Sequence, residues 1–352
     1  MLVISQVPPP FHGSTLMTVV FLETLEKIGL SSVLVDRRFS KTLGAVGRFQ
    51  ASKVLAAGGL TARLALKLVS RRPEICVFFM TNRPASFVVD WVLSELLRAF
   101  KIPVIGYIHT QGYTALARRG RLWAFLVRRL LTSAQTIVCL SRTLESDVRD
   151  LAPRATVLSI PNTPHNVPDV ISARSGDVSV LFLSNFITDK GIDEFVQIAK
   201  ELAVKHPEVR FLAAGAPTSP HQLDELRRTA SENLEVVGAV DGTRKWELMT
   251  QASVLVFPSR YEFEAQPLVI IEAAAAAVPV VAYDIGGIRD LVGDGSTGLL
   301  HRVEDKSGFL ASVSALLDSG DLRSSMGEAA RLAYETKYSS SAYERAWNGL
   351  LK

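Results

Sequence analysis

EAQPLVIIEAAAAAVPVVAYDIGG, residues 264 to 287, sets two glutamates eight positions apart around a proline, ahead of five alanines and an apolar run. Pro267 suits the first position of a helix, because its fixed φ is already helical and its missing N–H would have no partner there. A helix opened this way leaves the N–H groups of Leu268 and Val269 at its positive end, an anion site suited to phosphate. Glu264 then lies in the loop before the helix. Glu272 falls about one and a half turns inside it, where a carboxylate accepts two hydrogen bonds from a ribose diol. The run Ala273 to Ala277 lets the helix sit close to a sheet, and PVVAYD reads as the buried strand that follows. The alternative for an arbitrary pair of this kind is two solvated helix charges.

Outward from this stretch, the whole chain alternates short apolar runs with helical-period segments, which predicts parallel sheets covered by helices. The first half offers LVISQV, SVLVD, ICVFFM, VIGYIH, TIVCLS and TVLSIP as strands. The second offers VSVLFLSN, VRFLAAG, LEVVGAV, SVLVFPS, PVVAYD and GLLHR. Between them, PNTPHNVPDVISARSGD (161 to 177) is rich in Pro, Asn and Ser and has no period, so the linker is expected there. The predicted class is α/β, with two Rossmann-like doubly wound domains at 1–165 and 166–335 and a ligand cleft between their strand C-terminal ends. A C-terminal helix at 336–352 is expected to pack back toward the first domain.

The composition agrees with two folded domains: 352 residues, 48% hydrophobic and 21% charged. Cys76 and Cys139 lie in apolar runs and read as reduced core residues, which favours the cytosol. The N-terminus starts directly with a strand and does not read as a signal peptide, and no apolar run reaches the ~18 residues of a spanning helix. A soluble or peripheral protein is expected. The net charge of +4 hides an asymmetry: residues 1–165 hold 21 Lys and Arg against 9 Asp and Glu, and the rest hold 18 against 26. Halves of opposite charge face different partners.

FPSRYEFEAQPLVIIEAAAAAVPVVAYDIGGIRDLVGDGSTGLL resembles the donor-binding signature of retaining glycosyltransferases of family GT4, which have the GT-B fold. The family's PS, E-x7-E, small-residue helix, PVVA, GG and G-x-x-G turn occur in order. FLSNFITDKGIDEF looks like the family's G-R-x-x-x-x-K-G segment, and PPPFHGSTLMTVVFLETL like its Gly-rich loop. The resemblance implies a first domain for the acceptor and a second for a nucleotide-sugar donor. Lys190 would neutralise the donor diphosphate, Glu264 would hold hydroxyls of the transferred sugar, and Glu272 would bind the ribose. Ala265, Gln266, Leu268 and Val269 would line the donor site, Gly13 and Ser14 would bring amides to the diphosphate, and Gly215 and Val240 would contact the base through backbone.

Leaving-group stabilisation by a lysine and amides needs no metal. No D-x-D occurs, and the six histidines form no ligand spacing, so no metal and no cofactor is expected. Two departures stand out: Asn185 replaces the family's Arg five residues before the Lys, and Pro267 replaces a common Gly. His109 follows a strand where the family carries a histidine facing the sugar; a satisfied loop histidine is the alternative. His12, beside Gly13, is a weaker candidate for an acceptor or phosphate contact.

LARRGRLWAFLVRRLL (116 to 131) sets Arg118, Arg119, Arg121, Arg128 and Arg129 around Leu122, Trp123, Phe125 and Leu126. Cationic, aromatic-bearing helices lie at anionic membrane surfaces, where each basic residue adds about 1 kcal/mol. An ordinary helix packed on the sheet is the alternative. No nucleic-acid module accompanies the charge. The expected function is transfer of a sugar from a nucleotide-diphosphate-sugar to a lipid-linked or cell-envelope polysaccharide precursor, at the cytoplasmic face of a membrane. A non-catalytic sugar-nucleotide-binding subunit is the alternative, to which Asn185 points.

Overall fold

The computed structural model describes residues 1–9, 13–37, 51–168 and 177–352, and only the backbone of 51–56. His12 and residues 169–176 of the expected linker lie outside the described residues. The chain divides into one compact unit of Met1–His165 with Tyr343–Lys352, and a second of Asn166–Ala342.

The first unit alternates strands and helices: β1 (Leu2–Ser5), α1 (Gly13–Lys27), β2 (Val33–Asp36), α2 (Ala51–Ser70), β3 (Cys76–Met80), α3 (Pro84–Ala99), β4 (Val104–Ile108), α4 (Tyr113–Ala117), α5 (Arg121–Leu131), β5 (Thr136–Cys139), α6 (Arg142–Arg149) and β6 (Thr156–Ser159). Its strands form one parallel sheet in the order β2-β1-β3-β4-β5-β6. Burial on both faces is why the strands read as unbroken apolar runs; all five residues of β3 are buried. The helix expected over 116–131 is two helices, because Gly120, at φ 153°, breaks it between α4 and α5. Cys76 and Cys139 are free and buried, and burial pushes the Cys139 thiol up to about 12.

The second unit repeats the plan with β7 (Ser179–Leu183), α7 (Ile192–Leu202), β8 (Arg210–Ala214), α8 (Pro220–Thr229), β9 (Leu234–Gly238), α9 (Gly242–Gln251), β10 (Val254–Phe257), α10 (Leu268–Ala275), β11 (Val280–Tyr283), α11 (Ile288–Leu291), β12 (Gly298–His301), α12 (Lys306–Asp318) and α13 (Gly320–Ala333). The parallel order is β12-β11-β10-β7-β8-β9. Alternate residues of each strand feed opposite faces: Val180 and Phe182 of β7 join one core layer, Leu181 and Leu183 the other. The sheet's order reverses between β7 and β10, so the segments leaving those two strands turn to opposite faces and open a crevice.

The alanine run behaves as its size suggests. Ala273, Ala275 and Ala276 are buried, and α13 approaches so closely that a Cβ on Gly327 would stand 2.1 Å from the Ala277 carbonyl oxygen. The last helix, α14 (Ser340–Leu351), belongs to the first unit from Tyr343 onward. Residues 336–342 stay with the second unit, where Tyr334 and Tyr338 are part of the core. In the first unit Trp347 is fully buried, with its ring 4.6 Å from Phe21 and 4.9 Å from Tyr107, and the Tyr343 and Tyr107 hydroxyls lie 3.2 Å apart.

Candidate active site

The second unit's candidates gather where its strands end. After β7 the chain runs through Asn185 into a 3-10 turn, Thr188–Lys190, closed by Gly191 in a left-handed conformation. A side chain at Gly191 is excluded twice: φ is +87°, and a Cβ would stand 2.3 Å from the Pro258 carbonyl oxygen. This close approach lays the Lys190 turn against the loop leaving β10. The Arg260 amide donates to the Asp189 carbonyl at 2.7 Å, which fixes the two loops together.

Lys190 and Glu264 meet across the reversal point as an ion pair. Glu264 is 6% exposed, and its Oε2 also accepts from the buried Ser259 hydroxyl at 3.0 Å. The Lys190 ammonium lies 4.6 Å from the centre of the Tyr261 ring. The loop's backbone is tied down at both ends. The Glu264 amide donates to Tyr261 and the Gly287 amide to Ala265, so the GG turn of the opening stretch holds the E-x7-E loop in place. Ala265 and Gln266 are buried beside it.

Pro267 is not the first helical residue. Its ψ of 123° is extended, and α10 begins at Leu268, one position later than expected. Proline's φ of −69° serves the helix-flanking position equally well, and the shift leaves Leu268 and Val269 as the first two helical amides, ahead of any intrahelical acceptor. Glu272 is buried within α10 and pairs with Lys245 of α9. Neither glutamate is a solvated helix charge. Ser259 is the serine of the PS motif, whereas Lys245 carries no sequence signal: it sits 27 residues from its partner in an ordinary polar helix start, and only the fold brings the two together.

Gly215 ends β8, and a Cβ there would stand 1.7 Å from the Ser184 carbonyl oxygen, so it packs beside the turn that holds Asn185. Val240 follows β9 and rests partly buried on one core layer. Thus Asn185, Lys190, Gly215, Val240, Glu264, Ala265, Gln266, Leu268, Val269 and Glu272 all follow the C-terminal ends of second-unit strands. Gly13 and Ser14 open α1 in the first unit. His109 follows β4 there, stacked on Phe79 at 5.2 Å and edge-on to Tyr107 at 4.2 Å. Burial lowers its pKa to about 3, so the imidazole is neutral at ordinary pH, and its enclosed Nε2 has no hydrogen-bond partner. Among the described residues no group of three His, Cys, Asp or Glu is gathered as a metal site.

Residues 167–333 match the family model for glycosyl transferases group 1. This stretch is similar to group 1 glycosyltransferases over a little under half of the chain. The matched stretch carries the paired Lys190–Glu264 and Lys245–Glu272. The chain is 28% identical over 165 residues to alpha-D-kanosaminyltransferase of Streptomyces kanamyceticus, covering 46% of this chain and 42% of that one. It is 26% identical over 259 residues to glycogen synthase of Mycobacterium tuberculosis, covering 69% and 62%. The chain therefore spans between two fifths and two thirds of the length of these curated relatives.

Solved GT-B structures match from end to end. Sucrose-phosphate synthase of Thermosynechococcus elongatus aligns with TM-score 0.79 at 17% identity, over 99% of this chain and 98% of that one. Anabaena HepE, solved with UDP, aligns at 0.75 and 14%, with the same coverage. The fold is GT-B. No helix among the described residues is long and apolar enough to cross a membrane.

Proposed function

We propose that the protein is a retaining glycosyltransferase, which moves a sugar from a nucleoside-diphosphate-sugar to a hydroxyl of a lipid-linked or cell-envelope polysaccharide precursor at the cytoplasmic face of a membrane. One observation carries the reading. At the reversal point of a domain that matches group 1 glycosyltransferases, a buried carboxylate and a lysine form a pair that a donor can exchange for its own groups.

In transfer the bond between the anomeric carbon and the diphosphate oxygen breaks, that oxygen keeps the electron pair, and the acceptor oxygen bonds the same carbon on the same face as its hydroxyl proton passes to the departing diphosphate. The leaving diphosphate gains charge as the bond lengthens. Lys190, drawn from Glu264, meets that charge together with the first amides of α10, and this needs no metal. Glu264, released from Lys190, accepts hydrogen bonds from the sugar's hydroxyls. Glu272 takes the ribose diol. His109, held neutral by burial, donates or accepts a hydrogen bond at the sugar without carrying charge. Because HepE was solved with UDP, uridine diphosphate sugars are the first donors to try.

The test is donor hydrolysis and transfer by wild type and Glu264→Gln. The amide keeps the shape but weakens charge-assisted bonds, so transfer falls sharply while nucleotide affinity stays within a few fold. Unchanged transfer would remove Glu264 from the sugar. Donor binding with neither hydrolysis nor transfer in wild type would instead assign a sugar-nucleotide-binding subunit.

A further inference from the structure

The inward faces of α2, α3 and α5 are buried and apolar: Leu60, Leu64 and Leu68 on α2, Phe87 and Leu93 on α3, Val127 and Leu130 on α5. Their outward faces are apolar too, which a solvated helix avoids. Leu66 and Val69 of α2, Val88 and Val92 of α3, and Leu122 and Phe125 of α5 are 37–74% exposed. These are six of the nine large apolar side chains exposed among the described residues. The other three, Ile187, Val204 and Leu332, stand singly on different elements of the second unit, as is ordinary. Since α2 packs against α3 and α3 against α5, with Phe87 and Trp123 5.8 Å apart, the six belong to one three-helix layer.

The exposed charge around this layer is chiefly positive. Arg118, Arg119, Arg121 and Arg128 are exposed and form no ion pair with a described residue. Arg129, expected among them, is not available: its guanidinium forms two hydrogen bonds, of 2.8 and 2.7 Å, to Glu95 of α3, which also occupies the layer's carboxylate. We propose that this face docks the protein on an anionic lipid surface, with Leu122 and Phe125 in the headgroup–acyl boundary and the four arginines on lipid phosphates. Charge complementarity selects that partner, because uncompensated arginines around exposed Leu and Phe on an α-helix fit the interface of an acidic bilayer. The docking deepens the reading in which the acceptor is lipid-linked, and its test requires no transfer.

The full chain is sedimented with vesicles of phosphatidylglycerol and phosphatidylcholine, or of phosphatidylcholine alone, across a salt series. Wild type is expected to bind the acidic vesicles at low salt, to fall off steeply with salt, and to ignore the neutral ones. Arg118→Glu with Arg121→Glu and Arg128→Glu should lower binding on the order of a hundredfold or more. The same three changed to Lys should retain it, which separates charge from folding. Leu122→Ser with Phe125→Ser should abolish the part that survives high salt. Equal partitioning of wild type, the Glu variant and the Ser variant overturns the proposal. So does a dimer in solution that the Ser variant dissociates while no vesicle binds, which would assign the face to a second copy. Vesicle binding that persists in a preparation with no donor hydrolysis would keep the docking and remove only the transferase reading.

Discussion

Both units bury carboxylates beside cations at the ends of a parallel six-stranded sheet, yet they treat the pair differently. In the first unit Asp90 of α3 is fully buried and pairs with Arg37, itself 7% exposed, while Thr81 donates to Asp90 from both its amide (2.8 Å) and its hydroxyl (2.9 Å). Burial raises the Asp90 pKa and Arg37 opposes that rise. Asp147 of α6 likewise accepts three amides of the Gly112–Thr114 turn, at 2.6, 2.8 and 2.9 Å. Each of these carboxylates already accepts three hydrogen bonds from the fold. In the second unit Glu264 and Glu272 are nearly as buried as Asp90, but the charged partner of each is one flexible lysine whose side chain keeps 17% or 21% of its exposure, with the Ser259 hydroxyl also on Glu264. A buried charge marks a binding site when its internal partners are few and can leave, and a structural pair when they are many and cannot.

The widest separation between the two kinds of pair should appear in stability. Asp90→Ala strands Arg37 in the interior and should cost about 3–5 kcal/mol in urea unfolding of the first unit, whereas Arg37→Met with Asp90→Leu recovers most of it. A loss under 1 kcal/mol for Asp90→Ala would place that pair with the exchangeable ones. Lys190→Met should instead act on chemistry: kcat/KM for transfer falls about 10²–10³-fold, the effect of removing one preorganised donor from a developing negative charge. Adding Glu264→Leu to it relieves the buried carboxylate but should restore no transfer. Recovery of transfer in the double variant would break the distinction.

Lys245 and Glu272 offer a finer test. Lys245→Met and Glu272→Gln should each weaken nucleoside diphosphate affinity about tenfold by calorimetry, with a double variant no worse than either single, since both act through one carboxylate. Additive losses would mean that Lys245 touches the ligand by itself. The smallest effect concerns the helix that carries Glu272. Ala277 ends α10 at φ +55°, with the Val278 amide donating back to Ala273 at 2.8 Å, a conformation that glycine adopts without penalty. Ala277→Gly should raise stability by about 1 kcal/mol and leave transfer unchanged. Lowered stability would show that the Ala277 side chain packs more than its backbone strains.

Hydrophobic period and punctuation are local properties, and they located the twelve strands among the described residues and the small-residue helix that follows Pro267. Buried parallel strands need unbroken apolar runs, and a left-handed turn beside packed backbone needs glycine, so such features are written where they occur. Partnership between distant side chains is not local. Arg37 with Asp90, Arg129 with Glu95, Lys245 with Glu272 and the return of Trp347 onto Phe21 each join segments more than 25 residues apart. Arg129 and Arg128 are neighbours of identical chemistry, and only the helix rotation against α3 sends one to a carboxylate and the other to solvent. Local composition dictates which elements form and where carboxylates stand along them. The tertiary structure decided which charges are spent on the fold and which remain exchangeable, because that depends on how many donors the packed chain brings within hydrogen-bond reach.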